Sequence, residues 1–271
     1  MTDSVVLKKN NVSVEGNLTA SQTIVFANGF GTDQTAWKEV KTAFAADYKL
    51  VLFDNVGSGQ ADPQAYSPIK YNTLKTYAED MIAILEALGV KNSILMAHSV
   101  SSMIGLLAAT KAPGLFAKLI LIGASPRYLN DEKNGYVGGF TQPVLDSMYE
   151  AMTANYYAWV SGFSGMAMAN ADRPELGEYF AGTLLDIRPD IALSVSKTIF
   201  ESDVRAELQK LDQPVLLLQS QHDVAVPDAV AVYLNEQIKG SQLVILDAEG
   251  HFPHISAGDQ VVSAVQSFLK N

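Results

Sequence analysis

Cysteine is missing altogether from the 271 residues, which excludes disulfides, thiolate nucleophiles and cysteine-held metals. Basic residues are also scarce: 19 Lys and Arg against 29 Asp and Glu leave a formal charge of −10, and no Lys/Arg-rich stretch occurs. So acidic a chain repels phosphate backbones and anionic bilayers, so neither nucleic acid nor a membrane is an expected partner. No apolar run reaches the roughly 18 residues needed to span a bilayer. The opening MTDSVVLKKNN lacks a basic flank followed by an apolar core, so it does not read as a signal peptide, and the expected location is cytoplasmic.

What is present is material for a core. A hydrophobic share of 48% with 18% charged residues belongs to a folded chain, and the length suits one large α/β domain. Two alternating segments, residues 4–8 and 11–15, flank Asn10-Asn11 and predict an opening hairpin. Short runs rich in Val, Ile and Leu follow at residues 23–27, 49–54, 93–97, 118–123, 214–219 and 242–246. Their lack of strict alternation predicts parallel strands covered on both faces. Helical spacing fills most gaps, as at residues 71–88, where Leu74, Tyr77, Ala78, Met81, Leu85 and Leu88 fall on one face.

Strand–helix alternation predicts a parallel α/β sheet whose sites lie at the carboxyl ends of its strands. The alternation stops between Pro126 and about Phe200. There, helical patterns at residues 144–159 and 174–185 predict an insertion over the sheet edge. The expected division is a core of residues 1–125 and 201–271 with a helical lid at 126–200.

The buried run ending at Ala97 passes through His98 and Ser99 directly into a helix at residues 100–110. A serine there sits on a sharp turn that lifts its hydroxyl above the sheet, the position of a nucleophile. The usual glycines two residues either side are Ala97 and Ser101, and a plain helix N-cap is the structural alternative. A serine nucleophile needs a base, and the base needs an orienting carboxylate, each at the end of a later strand in the order Ser, Asp, His. Asp223 follows the run at 214–219 and His251 follows the run at 242–246, which completes the order. Of the remaining histidines, His98 reads as a packing residue, His222 as a loop neighbour of Asp223, and His254 as a pocket-rim or capping residue. No His/Asp/Glu set has metal-ligand spacing, so no metal or cofactor is expected.

Acyl transfer also needs two backbone N–H donors, one after the nucleophile and one from an early loop. Val100 is the first, and Phe30 in Asn28-Gly29-Phe30-Gly31 is the second. The glycine-containing DNVGSGQAD at residues 54–62 lacks the Lys-Ser/Thr ending of a phosphate loop and reads as a structural turn.

With HSVSSMIG (98–105), SPRYLND (125–131), RPDIALSV (188–195), AVP after Asp223 and GHFPHIS (250–256), the chain resembles a particular group of α/β-hydrolases. That group contains the karrikin and strigolactone receptors of plants and the bacterial stress-response regulator RsbQ. The resemblance spans nearly the whole chain. It implies an eight-stranded, mostly parallel sheet with helices on both faces and a four-helix lid over an apolar pocket. It puts the triad on Ser99, Asp223 and His251 and the oxyanion donors on Phe30 and Val100. Two departures stand out: Asn28 replaces the histidine common in the plant receptors' oxyanion loop, and Ala61 ends a turn usually written GxGxS.

Phe30, Phe140, Tyr157, Trp159, Phe163, Phe200 and Val226 are the candidate pocket residues, implying a small, mostly apolar ester or lactone. Two functions are compatible with this reading. One is a serine hydrolase of the carboxylic ester class. The other is a ligand-responsive regulator or receptor that uses the same triad slowly and binds a signalling protein through its lid.

Overall fold

The computed structural model describes residues 3–270, so the outermost ends of the expected core segments lie outside it. All six apolar runs form strands within a few residues of their expected limits: β2 (Thr23–Ala27), β3 (Lys49–Phe53), β4 (Ser93–His98), β5 (Phe116–Ile122), β6 (Val215–His222) and β7 (Gln242–Glu249). With β1 (Ser13–Gly16) they make one sheet in the order β1-β3-β2-β4-β5-β6-β7, in which only β1 is antiparallel.

The described residues thus hold seven strands rather than eight. The first half of the expected hairpin is instead helix α1 (Asp3–Lys9), and Asn11 supplies the reversal at φ 46°. The reason lies in packing: the helix buries Val6 against the core and brings Lys9 to the buried pair Tyr71 and Asp80. A five-residue alternating segment is too short to distinguish the two periodicities.

The other helices are α2 (Lys38–Thr42), α3 (Leu74–Ala87), α4 (Val100–Lys111), α5 (Gln142–Ala154), α6 (Tyr156–Met168), α7 (Pro174–Leu185), α8 (Pro189–Phe200), α9 (Asp228–Gln237), α10 (Pro253–Ser256) and α11 (Gly258–Leu269). Thr73 caps α3 by accepting from Lys75 N, so the helix begins inside the apolar pattern. The pattern at 144–159 is two helices, divided at Asn155, whose side chain accepts from Ala158 N and starts the second.

Strand residues alternate between two cores. Ile24, Phe26, Leu50 and Leu52 face Trp37, Phe44, Val261 and Phe268. Val25, Ala27, Val51 and Phe53 face α3 and α4, and that core continues without a break into the helices α5–α8. Gly105 lets α4 lie close on β4, because a Cβ there would strike the Leu95 side chain. Outside the helices, residues 125–131 are stapled to the chain after α8: Arg127 pairs with Asp203 at 2.8 Å, while Arg205 pairs with Asp131 at 2.9 Å and Asp203 at 2.7 Å. None of the described helices is long and apolar enough to cross a membrane.

Strand order reverses across β2 and β4, whose following loops diverge and open a crevice at their carboxyl ends.

Candidate active site

Ser99 stands in that crevice. It is a non-glycine residue at φ 55° and ψ −125°, between the end of β4 and the first residue of α4. Such a conformation costs on the order of 1–3 kcal/mol and persists only where the surroundings hold it. Here Ser99 N donates to Ile122 O (2.8 Å) and Ser102 Oγ donates to Ala97 O (2.9 Å), holding the turn on both sides. Ser99 makes no side-chain cap to α4, so its hydroxyl is free for other work.

That hydroxyl lies 2.7 Å from His251 Nε2, and His251 Nδ1 lies 2.8 Å from Asp223 Oδ2. With Nδ1–H donating to the carboxylate, Nε2 accepts from Ser99. The Asp223 carboxylate is fully buried and well supplied with donors: Ala225 N (2.8 Å) and Val226 N (3.1 Å) to Oδ1, and Gln219 Nε2 (3.3 Å) to Oδ2. Every lone pair used is one that desolvation would otherwise penalise. His251 is held through its backbone as well, its N donating to Ala167 O at the end of α6 and its O accepting from His98 Nε2.

Beneath the triad lies a ring stack. His98 packs on His251 and His254 with centroids 4.8 and 4.3 Å apart, and His254 packs on Trp37 at 4.5 Å. Burial favours the uncharged imidazoles, holding His98 well below its ordinary pKa and pushing His254 down to about 3. His98 is therefore the packing residue expected. His254 is not at the pocket rim: it is fully buried on the far side of His98, and neither of its ring nitrogens has a partner among the described residues. His222 is exposed beside Asp223, 3.9 Å from Glu249.

The loop after β2 carries Phe30 to the same crevice. Asn28 Nδ2 donates to Thr32 O (2.7 Å), while Asn28 O accepts from Ser101 Oγ (2.6 Å) and Asn55 Nδ2 (3.3 Å). The asparagine at the departing position thus fastens the loop across its own base. Gly31 has φ 78°, and a Cβ on it would meet Phe180 Cε2 at 2.7 Å. Across the crevice, Val100 opens α4, so its N–H has no carbonyl one turn back to bond.

Above Ser99 lies a cavity of about 590 Å³, lined on the helix side by α5, α6, α7 and α8. Phe30, Phe140, Trp159, Phe163 and Phe200 line it as expected. Tyr157 and Val226 do not. Tyr157 is 71% exposed on the outer face of α6, two residues before Trp159, a spacing that turns a helical side chain to the opposite side. Val226 is buried behind Asp223, where its amide serves the carboxylate and its carbonyl accepts from Gln219. Sequence reading missed Phe180, Phe252 and above all Tyr128, whose hydroxyl is 3.3 Å from Ser99 Oγ. The signal was its place in SPRYLND, six residues past the end of β5 and so near the same sheet edge.

A serine on a tight strand-to-helix turn, joined through histidine to an aspartate from later strand ends, is the arrangement of the α/β hydrolases. The alpha/beta hydrolase family model matches residues 24–264, and the chain belongs to that family. It is 46% identical to a strigolactone esterase of Pisum sativum, across 93% of each chain. It is 44% identical to a karrikin insensitive 2 receptor of Petunia hybrida, across 95% of this chain and 94% of the receptor. The solved structure of a hydrolase from Oleispira antarctica superposes with a TM-score of 0.95 at 31% identity, covering all of this chain and 98% of the other.

Proposed function

We propose that this protein is a serine hydrolase cleaving small, mostly apolar carboxylic esters or lactones through an acyl-enzyme on Ser99. The observation that carries the reading is the Ser99–His251–Asp223 hydrogen-bond chain, at 2.7 and 2.8 Å, facing an aromatic cavity. His251 takes the Ser99 proton as Oγ attacks the carbonyl carbon, and Asp223 fixes the imidazole tautomer and offsets the charge it gains. The N–H groups of Phe30 and Val100 receive the developing oxyanion. Water then releases the acyl group by the reverse proton path. The segment 126–200 acts as a lid, whose apolar inner face selects compact hydrophobic acyl or lactone groups. The names of the relatives, an esterase and a receptor, support a small ester or lactone as ligand.

The receptor reading has its own support. Tyr157 and Leu185, 71% and 40% exposed on α6 and α7 and outside the cavity, offer an outer apolar contact for a signalling protein.

The test is hydrolysis of short-chain p-nitrophenyl esters and a butenolide by wild type and Ser99→Ala, followed over many turnovers. Sustained release abolished in Ser99→Ala is expected of the hydrolase. A single burst of one product per protein, or none despite a ligand-induced shift in Tm, would favour the receptor.

A further inference from the structure

Among the described residues lining the cavity, only Ser99 and Tyr128 carry hydroxyls. Tyr128 is buried, its ring set edge-on to Phe140 and Phe200 with centroids 6.2 and 4.9 Å away. Among the described residues, its hydroxyl has Ser99 Oγ, 3.3 Å away, as its one hydrogen-bond partner. The direction of that bond follows from the proton count. His251 Nδ1–H is committed to Asp223, so Nε2 accepts the single Ser99 proton, and Tyr128 O–H is left to donate to the Oγ lone pair.

Topology places this donor on a particular flank. Phe30 and Val100 come from the loop after β2 and the head of α4. Tyr128 follows β5, on the other side of β4, as do Asp223 after β6 and His251 after β7. An ester whose carbonyl oxygen points at Phe30 and Val100 turns its second oxygen toward His251 and Tyr128.

We propose that Tyr128 is a catalytic residue that donates a hydrogen bond to the departing alkoxy oxygen of the ester or lactone. The proposal rests on the serine hydrolase reading. When Oγ bonds to the carbonyl carbon it becomes an ester oxygen and a poor acceptor, so the tyrosine's bond is released. As the intermediate collapses, the carbon–alkoxy bond breaks and its electron pair stays on the alkoxy oxygen. The proton on His251 Nε2 moves to that oxygen. Tyr128 keeps its own proton throughout and shares it as a hydrogen bond. Burial raises the phenol's pKa above its ordinary value, which keeps it a donor across the neutral range.

The experiment measures kcat/KM for one acyl group on four leaving groups, p-nitrophenol, phenol, trifluoroethanol and ethanol, in wild type, Tyr128→Phe and Ser99→Ala. The better the leaving group, the less it gains from a donor. Tyr128→Phe is expected to lose about 10- to 30-fold with the ethyl ester and only about threefold with the p-nitrophenyl ester, a range typical of one hydrogen bond to a charged oxygen. Equal loss across the series, as from a third oxyanion donor or a displaced ring, would overturn the proposal, as would no loss. Replacing Tyr128 with a fluorinated tyrosine keeps the ring and strengthens the donor, so it decides the matter if the phenylalanine variant does not fold. A shallower dependence on leaving group supports the role, and an unchanged one overturns it. Turnover surviving in Ser99→Ala would sink the hydrolase reading itself, which the Tyr128 series alone cannot do.

Discussion

The carboxyl edge of the sheet and the helices above it solve different problems. At the sheet edge polar groups are buried and bonded: Asp223 takes four donors, the turn at Ser99 is held to β5 by Ser99 N and to β4 by Ser102 Oγ, and His251 is tied at both its N and its O. In the helical layer the inward side chains are aromatic and aliphatic and make few polar bonds, while Tyr157 on the outside stands 71% exposed. Positions with many directional partners have one arrangement; an apolar wall can repack. On the proposed function, the sheet edge fixes the chemistry and the helices tune which ligand reaches it.

This contrast is broken most forcefully at Ser99, where alanine should remove turnover entirely. Asp223→Asn keeps the shape but leaves the imidazole in the wrong tautomer, so kcat on p-nitrophenyl acetate is expected to fall about 10³- to 10⁴-fold with the circular dichroism spectrum unchanged. A smaller effect belongs to the helices: Trp159→Ala should raise KM for a hydrophobic ester about tenfold, more than it lowers kcat, because it removes apolar contact rather than a reacting group. Tyr157→Ala, on the outer face, should change neither constant. An equal kcat loss in both helix variants would erase the distinction.

The smallest effect concerns the ring stack below the triad. His254 has two unpartnered buried nitrogens, so His254→Phe should raise stability by about 1 kcal/mol in urea titrations at pH 7. It should also flatten the acid dependence. Because the folded pKa of His254 is held down to about 3, below the ordinary 6.5, the unfolded chain binds a proton that the folded chain refuses between those values. Its share of stability is thus complete above pH 6.5 and is lost as pH falls toward 3. His98, also held low by burial, adds a loss of stability in the same direction as pH falls.

Legibility in the sequence follows the same division. Buried parallel strands are written as Val/Ile/Leu runs, so β2 to β7 and the residues at their ends, Ser99, Asp223 and His251, could be located without a structure. Helix α1 could not, because its few residues carry neither period clearly and its cause, the pairing of Lys9 with Asp80, spans 71 positions. Aromatic residues in α6 look alike in sequence, and only the helical phase separates Trp159 and Phe163, inside, from Tyr157, outside. Val226 was adjacent to the site in sequence but faces its support. Tyr128 lies in an irregular segment whose path is set by the Arg127–Asp203 and Arg205–Asp131 pairs, contacts no local pattern records.

The most direct test of the central claim is intact-protein and peptide mass spectrometry after brief exposure to a p-nitrophenyl ester followed by an acid quench. The account predicts one acyl mass per chain, mapped to Ser99 and absent from Ser99→Ala. Ester cleavage with no adduct on Ser99, or an adduct that persists in Ser99→Ala, would contradict it.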